Sequence, residues 1–214
     1  MRIDSIICSD NEANGPALNL PQEVAVVGSS ANILGLNKGP KIDMFERVIR
    51  FNHASTESYE KDVGSKTTDL AINCHVYCGA DMSKNGYEKY ERSFLDKYDF
   101  LNVIFVDGNV PNRGRGVVPK KLKFYALTMQ AFNETRVRPY KLDAVPTCGF
   151  AFICALINHG IKPHLFGFSS SDDDKNYAAT HYFEKRGPEG DCHNQKRERF
   201  LISEMIKDGL AYRG

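Results

Sequence analysis

Two histidines, one cysteine and several small polar residues beside glycines are the positions of this 214-residue chain where chemistry could be done. His193 opens the run His193-Asn194-Gln195-Lys196-Arg197-Glu198. Imidazole is the side chain best suited to taking up a proton near neutrality, though a histidine at a helix start also serves as a plain cap. Glu198 follows five residues on, about 500° around a helix of 3.6 residues per turn. It is therefore badly placed to orient the His193 ring, and a structural role in fixing the local loop is expected. His181 heads His181-Tyr182-Phe183-Glu184. From the residues alone, it packs among its aromatic neighbours.

A second set of residues suits a nucleotide. The apolar run 24–27 leads into Gly28-Ser29-Ser30. A glycine at the end of an early strand lets the backbone turn and approach a ligand, and the hydroxyls beside it can donate to a phosphate or sugar. Alone this is weak, because the fingerprint GxGxxG is absent. Asn52 closes the strand-like run 47–52 and carries an amide that could read a pyrimidine or ribose edge, or cap a turn. Thr147-Cys148-Gly149 precedes a helical pattern over 150–159 with Phe152, Ile153, Leu156 and Ile157 on one face. The free N–H groups at that helix start would accept an anion. Gly167 ends a further strand-like run over 164–168.

The elements that must position these groups alternate. Runs 24–27, 47–52, 69–73, 102–107 and 164–168 read as strands, and residues 87–98, 122–132, 150–159 and a segment starting near His193 read as helices. That order predicts a single α/β domain with a mostly parallel sheet, over 23–214, behind a polar lead-in at 1–22. The balance of 28 basic against 27 acidic residues gives no basis for nucleic-acid affinity. No apolar run approaches the roughly 20 residues of a membrane span, and the first ten residues lack a signal-peptide pattern. The six cysteines form neither paired CxxC spacing nor a dense disulfide framework, which suits a reducing, cytoplasmic or otherwise soluble setting. Cys74, His75 and Cys78 lack the second half of a zinc quartet, and structural thiols are the expectation there.

Taken in order, the segments AVVG-S, G-x-x-ID, V-x-R-x-N-x-A and DVG-KTT within 24–68 resemble the large sialylmotif of glycosyltransferase family 29. Residues 146–149 and the strand ending at Gly167 are similar to the small motif, His181-Tyr182-Phe183-Glu184 to the third, and His193 with Glu198 to the very small motif H-x4-E. The resemblance implies a Rossmann-like domain of the variant GT-A type, needing neither cofactor nor metal. It implies transfer of sialic acid or a related keto sugar from a CMP-sugar donor to a glycan acceptor, galactoside-containing in the family's manner. In that scheme His193 is the base and His181 attends the donor phosphate. Gly28, Ser29, Ser30, Asn52, Thr147, Cys148, Gly149, Gly167 and Tyr182 hold CMP. Sialic acid and 3-deoxy-manno-octulosonic acid both travel as CMP esters, and either fits. A Golgi location would follow only if an anchored protein had been trimmed.

The chain departs from the pattern at several points. Ser29 stands for an asparagine, Cys148 for a threonine, Phe166 for a tyrosine, Ser169 for the last glycine and Asn73 for a tyrosine. Val24 and His159 occupy the positions of the family's usual disulfide. Rival readings are a metal-dependent transferase using Asp172, Asp173 and Asp174, a cysteine hydrolase built on Cys148, and a CMP-binding module without turnover. Arg113 and Arg115 lie in a Gly/Pro-rich loop, which is either solvated surface or an anion contact.

Overall fold

The computed structural model describes residues 2–8, 17–73, 95, 98, 101–106, 122–169, 181–183 and 193–214. Its strands are β1 (Arg2–Cys8), β2 (Ala17–Asn19), β3 (Glu23–Val27), β4 (Val48–Phe51), β5 (Asp69–Ile72), β6 (Leu101–Phe105), β7 (Leu122–Leu127), β8 (Lys162–Phe166) and β9 (Tyr212–Arg213). They form one sheet in the order β2-β1-β7-β6-β5-β4-β3-β8-β9. From β7 to β9 every neighbour is parallel, while β1 pairs antiparallel with both β7 and β2. The short helices α1 (Gly39–Asp43), α2 (Glu60–Val63) and α3 (Met129–Glu134) accompany the longer α4 (Cys148–Asn158) and α5 (Gln195–Lys207).

The central strands are buried on both faces, as parallel strands covered by helices must be. Side chains alternate across the sheet. Val24 and Val26 of β3 join Ile49, Phe51, Ala71 and Ile104 under α4 and α5, where Phe152, Ile153, Leu156, Leu201 and Met205 complete the main core. Ala25 and Val27 face the other way, onto Ile33, Ile42, Val63 and Tyr182. Seven consecutive residues of α4, Phe150 to Leu156, are buried, so this helix is enclosed all round and its N-terminus is fixed by the core.

Two elements differ from the expectation. Residues 122–132 divide into β7 and α3 with Thr128 between them, its hydroxyl accepting from the Ala131 N–H at 3.0 Å. Phe124, Tyr125 and Leu127 are buried in a strand bonded on both sides, and that pairing overrides the helical spacing. The polar lead-in carries β1 and β2 into the sheet, and places Leu18 and Leu20 in the main core. Most of the expected helix at 87–98, the Cys74–His75–Cys78 group, Arg113, Arg115 and the aspartates at 172–174 lie outside the described residues.

Candidate active site at the sheet's switch point

Strand β3 is followed by β4 on one side, and β8 returns to its other side, so the order reverses between β3 and β8. In open parallel sheets the crevice beyond the carboxyl ends at such a reversal is where ligands bind. Gly28 and Gly167 stand there, one just past each strand. The Gly28 N–H donates to the Phe166 carbonyl at 2.8 Å, and the Ser30 N–H to the Gly167 carbonyl at 2.9 Å. A β-carbon on Gly28 would lie 2.6 Å from the Gly167 oxygen, and one on Gly167 2.7 Å from the Gly28 oxygen. Gly167 also has φ +64°, in the left-handed region open to glycine. The Phe168 ring lies against both Gly28 and Gly149, where added β-carbons would come within 2.9 Å of it. Two of the glycines singled out in the sequence, Gly28 and Gly149, therefore meet on one ring, and the third, Gly167, packs directly on Gly28.

The first hydroxyl pair splits in role. Ser30 begins a 3-10 turn (Ala31–Ile33) and accepts from the Asn32 N–H at 3.3 Å. Its Oγ lies 2.8 Å from Oγ of Ser169, which also accepts from Nδ2 of Asn32 at 3.2 Å. Ser30 forms an antiparallel bridge with His181, and the Tyr182 N–H donates to the Ser29 carbonyl at 2.9 Å. His181 is thus drawn to the same strand end, its ring stacked on Phe183 at 5.3 Å. Tyr182 turns inward, 6 % exposed, and donates its hydroxyl to the Ser55 carbonyl at 2.6 Å. Burial pushes its phenol up to about 12, with neighbouring Tyr98 and Tyr59 adding to the shift and Arg50 opposing it. Asn52, just past β4, has φ +49° and receives the Asn73 N–H on Oδ1 at 3.4 Å.

The second half is a clamp between the α5 start and the α4 cap. Thr147 caps α4, its hydroxyl accepting from the Phe150 N–H at 3.2 Å. The same residue donates twice to Glu198, from its N–H to Oε1 and from its hydroxyl to Oε2, each at 2.7 Å. Cys148 and Gly149 form the first turn of α4. Glu198 is 5 % exposed. Burial raises its carboxyl above the ordinary value, and the two Thr147 hydrogen bonds and the His193 ring partly offset that. At the other end of the clamp, Nδ1 of His193 lies 2.8 Å from the Val145 carbonyl. A carbonyl only accepts, so Nδ1 carries the proton, and in the neutral ring Nε2 is left with its lone pair. Asn194 caps α5 through the Arg197 N–H at 3.0 Å. The H-x4-E spacing now has a geometric meaning: His193 and Glu198 grip Val145 and Thr147, two residues of one segment, rather than each other.

One group of motif residues has a role that residue types alone did not disclose. Arg50, in the middle of β4, has no exposed surface and donates to the carbonyls of Val63, Gly64 and Lys66 and to the Thr67 hydroxyl. Asp43 accepts from the N–H groups of Ser65 and Lys66 and from the Ser65 hydroxyl. Its partial burial would raise the carboxyl, but these hydrogen bonds and the Arg50 charge outweigh it and hold the group below the ordinary range. A β-carbon on Gly39 would fall 2.0 Å from the Glu60 carbonyl, so α1 and α2 touch through backbone. The letters G-x-x-ID, V-x-R and DVG-KTT thus build one buried polar brace for the loop between α2 and β5. An arginine amid apolar residues in a strand was the available signal. Among the described residues no group of three or more His, Cys, Asp or Glu side chains is placed to hold a metal.

A mostly parallel α/β sheet whose strand order reverses between β3 and β8 defines a Rossmann-like architecture. The family model for glycosyltransferase family 29 (sialyltransferase) matches residues 18–210, and the chain belongs to that family. It is 50 % identical over 82 residues to a β-galactoside α-2,6-sialyltransferase 2 of Bos taurus, a match covering 38 % of this chain and 14 % of that protein. Over 57 residues it is 49 % identical to the β-1,6-galactosyltransferase GALT29A of Arabidopsis thaliana, covering 26 % of this chain and 14 % of that one. The matched segments are thus a small part of these relatives' length. A crystal structure of a mammalian sialyltransferase superposes with a TM-score of 0.59 at 21 % identity, over 90 % of this chain and 68 % of that one, and shares the fold. No helix among the described residues is long and apolar enough to cross a membrane.

Proposed function

We propose that this chain moves sialic acid, or a related keto sugar, from a CMP-activated donor to a glycan hydroxyl with inversion, and that His193 is the general base. The observation that carries the assignment is the Nδ1 to Val145 contact of 2.8 Å, which reserves Nε2 as the proton acceptor. The acceptor oxygen forms a bond to the anomeric carbon as its proton passes to Nε2. The bond from that carbon to the phosphate oxygen breaks, and CMP leaves with the electron pair. Charge growing on the phosphate meets the N-terminus of α4 and, from the β3 side, Ser30 and His181. Gly28, Ser29, Asn52, Thr147, Cys148, Gly149, Gly167 and Tyr182 complete the donor site by contact or by shaping its walls. No step calls for a metal or cofactor. A galactoside acceptor is supported by the name of the Bos taurus relative. The name of the Arabidopsis relative supports a second reading, galactosyl transfer by the same base.

The test is CMP release from CMP-sialic acid and CMP-octulosonic acid with a panel of galactosides, beside a UDP-galactose arm. One CMP donor should be consumed by the native protein, with His193→Ala losing at least about a hundredfold in rate while still binding CMP. CMP binding without consumption of any donor would leave a nucleotide-binding module instead. Consumption of UDP-galactose alone would select the galactosyl reading.

A further inference from the structure

Ser169 is one of the positions where this chain departs from its family's motif, and it is buried, 7 % exposed, at the end of the Gly167 turn. Its hydroxyl makes two contacts: Oγ of Ser30 at 2.8 Å and Nδ2 of Asn32 at 3.2 Å. The amide nitrogen Nδ2 can only donate, so one lone pair of Ser169 is taken by Asn32. Ser30 in turn accepts the Asn32 N–H at 3.3 Å. Only the direction of the Ser30–Ser169 bond is then free. If Ser30 donated, the buried Ser169 would hold a hydroxyl proton with no acceptor among the described residues, which burial penalises. If Ser169 donates, both lone pairs of the half-exposed Ser30 are filled and its proton has no acceptor among the described residues.

We propose that Asn32 and Ser169 form a relay that makes the Ser30 hydroxyl a dedicated hydrogen-bond donor to the phosphate of the bound nucleotide, with Ser169 as its positioning residue. The chain runs Asn32 amide to Ser169 hydroxyl to Ser30 hydroxyl to phosphate oxygen, and each link polarises the next in the same sense. A hydroxyl with both lone pairs occupied suits an anion and rejects a donor. The recognised group is therefore the phosphate of the nucleotide, not the base or ribose. The serine in place of glycine supplies the middle link, beside a Ser29 that lacks the family's amide. The inference rests on the CMP-donor reading above.

The experiment compares binding of CMP and cytidine by calorimetry to the native protein, Ser30→Ala, Ser169→Ala, Ser169→Gly, Ser169→Thr and the Ser30→Ala/Ser169→Ala double variant, with thermal midpoints as the check on folding. CMP binding should weaken about tenfold in Ser30→Ala and about fivefold in Ser169→Ala and Ser169→Gly. Cytidine binding should stay within about twofold in all of them, and Ser169→Thr should restore CMP binding. The double variant should match Ser30→Ala, since the second hydroxyl acts only through the first. Additive losses, or equal losses for CMP and cytidine, would overturn the relay while leaving the donor reading intact. A native protein that binds neither CMP nor cytidine would overturn both.

Discussion

Glu198 shows how a buried motif residue can be committed to the fold itself. Its carboxylate takes two hydrogen bonds from Thr147, at the residue that caps α4. Glu198→Ala would leave the Thr147 N–H without its buried acceptor and loosen the cap, at about 1–3 kcal/mol. The variant should lower the thermal midpoint and weaken CMP binding together. Glu198→Gln keeps one acceptor and should lose less. The pH dependence has a definite sign. Burial raises the carboxyl in the folded state, so the fold holds its proton at pH values where the unfolded chain has already released it. Stability contributed by this group is therefore full below the ordinary carboxyl range and falls as pH rises to the raised value. Chemical denaturation across that range should show the decline in the native protein and a flatter course in Glu198→Gln. The sequence marked Glu198 as structural because five residues turn it away from His193. Its partner could not be read, because Thr147 lies 51 residues away and only the tertiary fold sets them face to face.

At the scale of elements, the site depends on how closely β3 and β8 end together. Gly28→Ala would drive a methyl to 2.6 Å from the Gly167 carbonyl and 2.9 Å from the Phe168 ring. The first obstacle is backbone and cannot rotate away, so the strand ends must part. The expected cost is about 1–3 kcal/mol of stability, with CMP binding reduced at least tenfold, measured by calorimetry beside a thermal melt. Unchanged CMP affinity would place the nucleotide elsewhere than this crevice. The contrast with β7 shows which elements a sequence discloses. Residues 24–27 form an unbroken apolar run closed by glycine, whose short length and three valines favour a buried parallel strand over a helix. Residues 122–132 mix Leu122, Phe124, Tyr125 and Leu127 with polar positions at a spacing that serves a short strand or a helix equally. Long-range pairing with β6 and β1 decides the matter. Arg50 is the same lesson inside β4: its neighbours declare a strand, but the carbonyls it satisfies come from a loop 13–16 residues on.

For the molecule as a whole, the first twenty residues close the sheet. Strand β1 pairs with β7 through Ile6↔Leu127, Ile7↔Ala126 and Cys8↔Tyr125, and β2 pairs with β1. Leu18 and Leu20 are 2 % and 1 % exposed in the same core that encloses α4. The Asn19 carbonyl accepts from Nη1 of Arg47 at 2.9 Å, while the rest of that guanidinium pairs with the fully buried Asp69. Burial depresses the Arg47 guanidinium most, yet its bonds and charge contact with Asp69 outweigh this and the net shift is upward. Removing residues 1–20 would take two buried leucines from the core, worth about 3–6 kcal/mol together. That is a large share of the net stability of roughly 5–15 kcal/mol available to a domain. It would also bare one edge of β7, a row of unpaired backbone groups open to another chain. The truncated protein should melt about 10–15 °C lower and scatter light on concentration, even though every residue of the switch-point crevice is still present. An unchanged midpoint would make β1 and β2 an appendage. A lowered one would show that the crevice between β3 and β8 is held by the far edge of the sheet as much as by the glycines that line it.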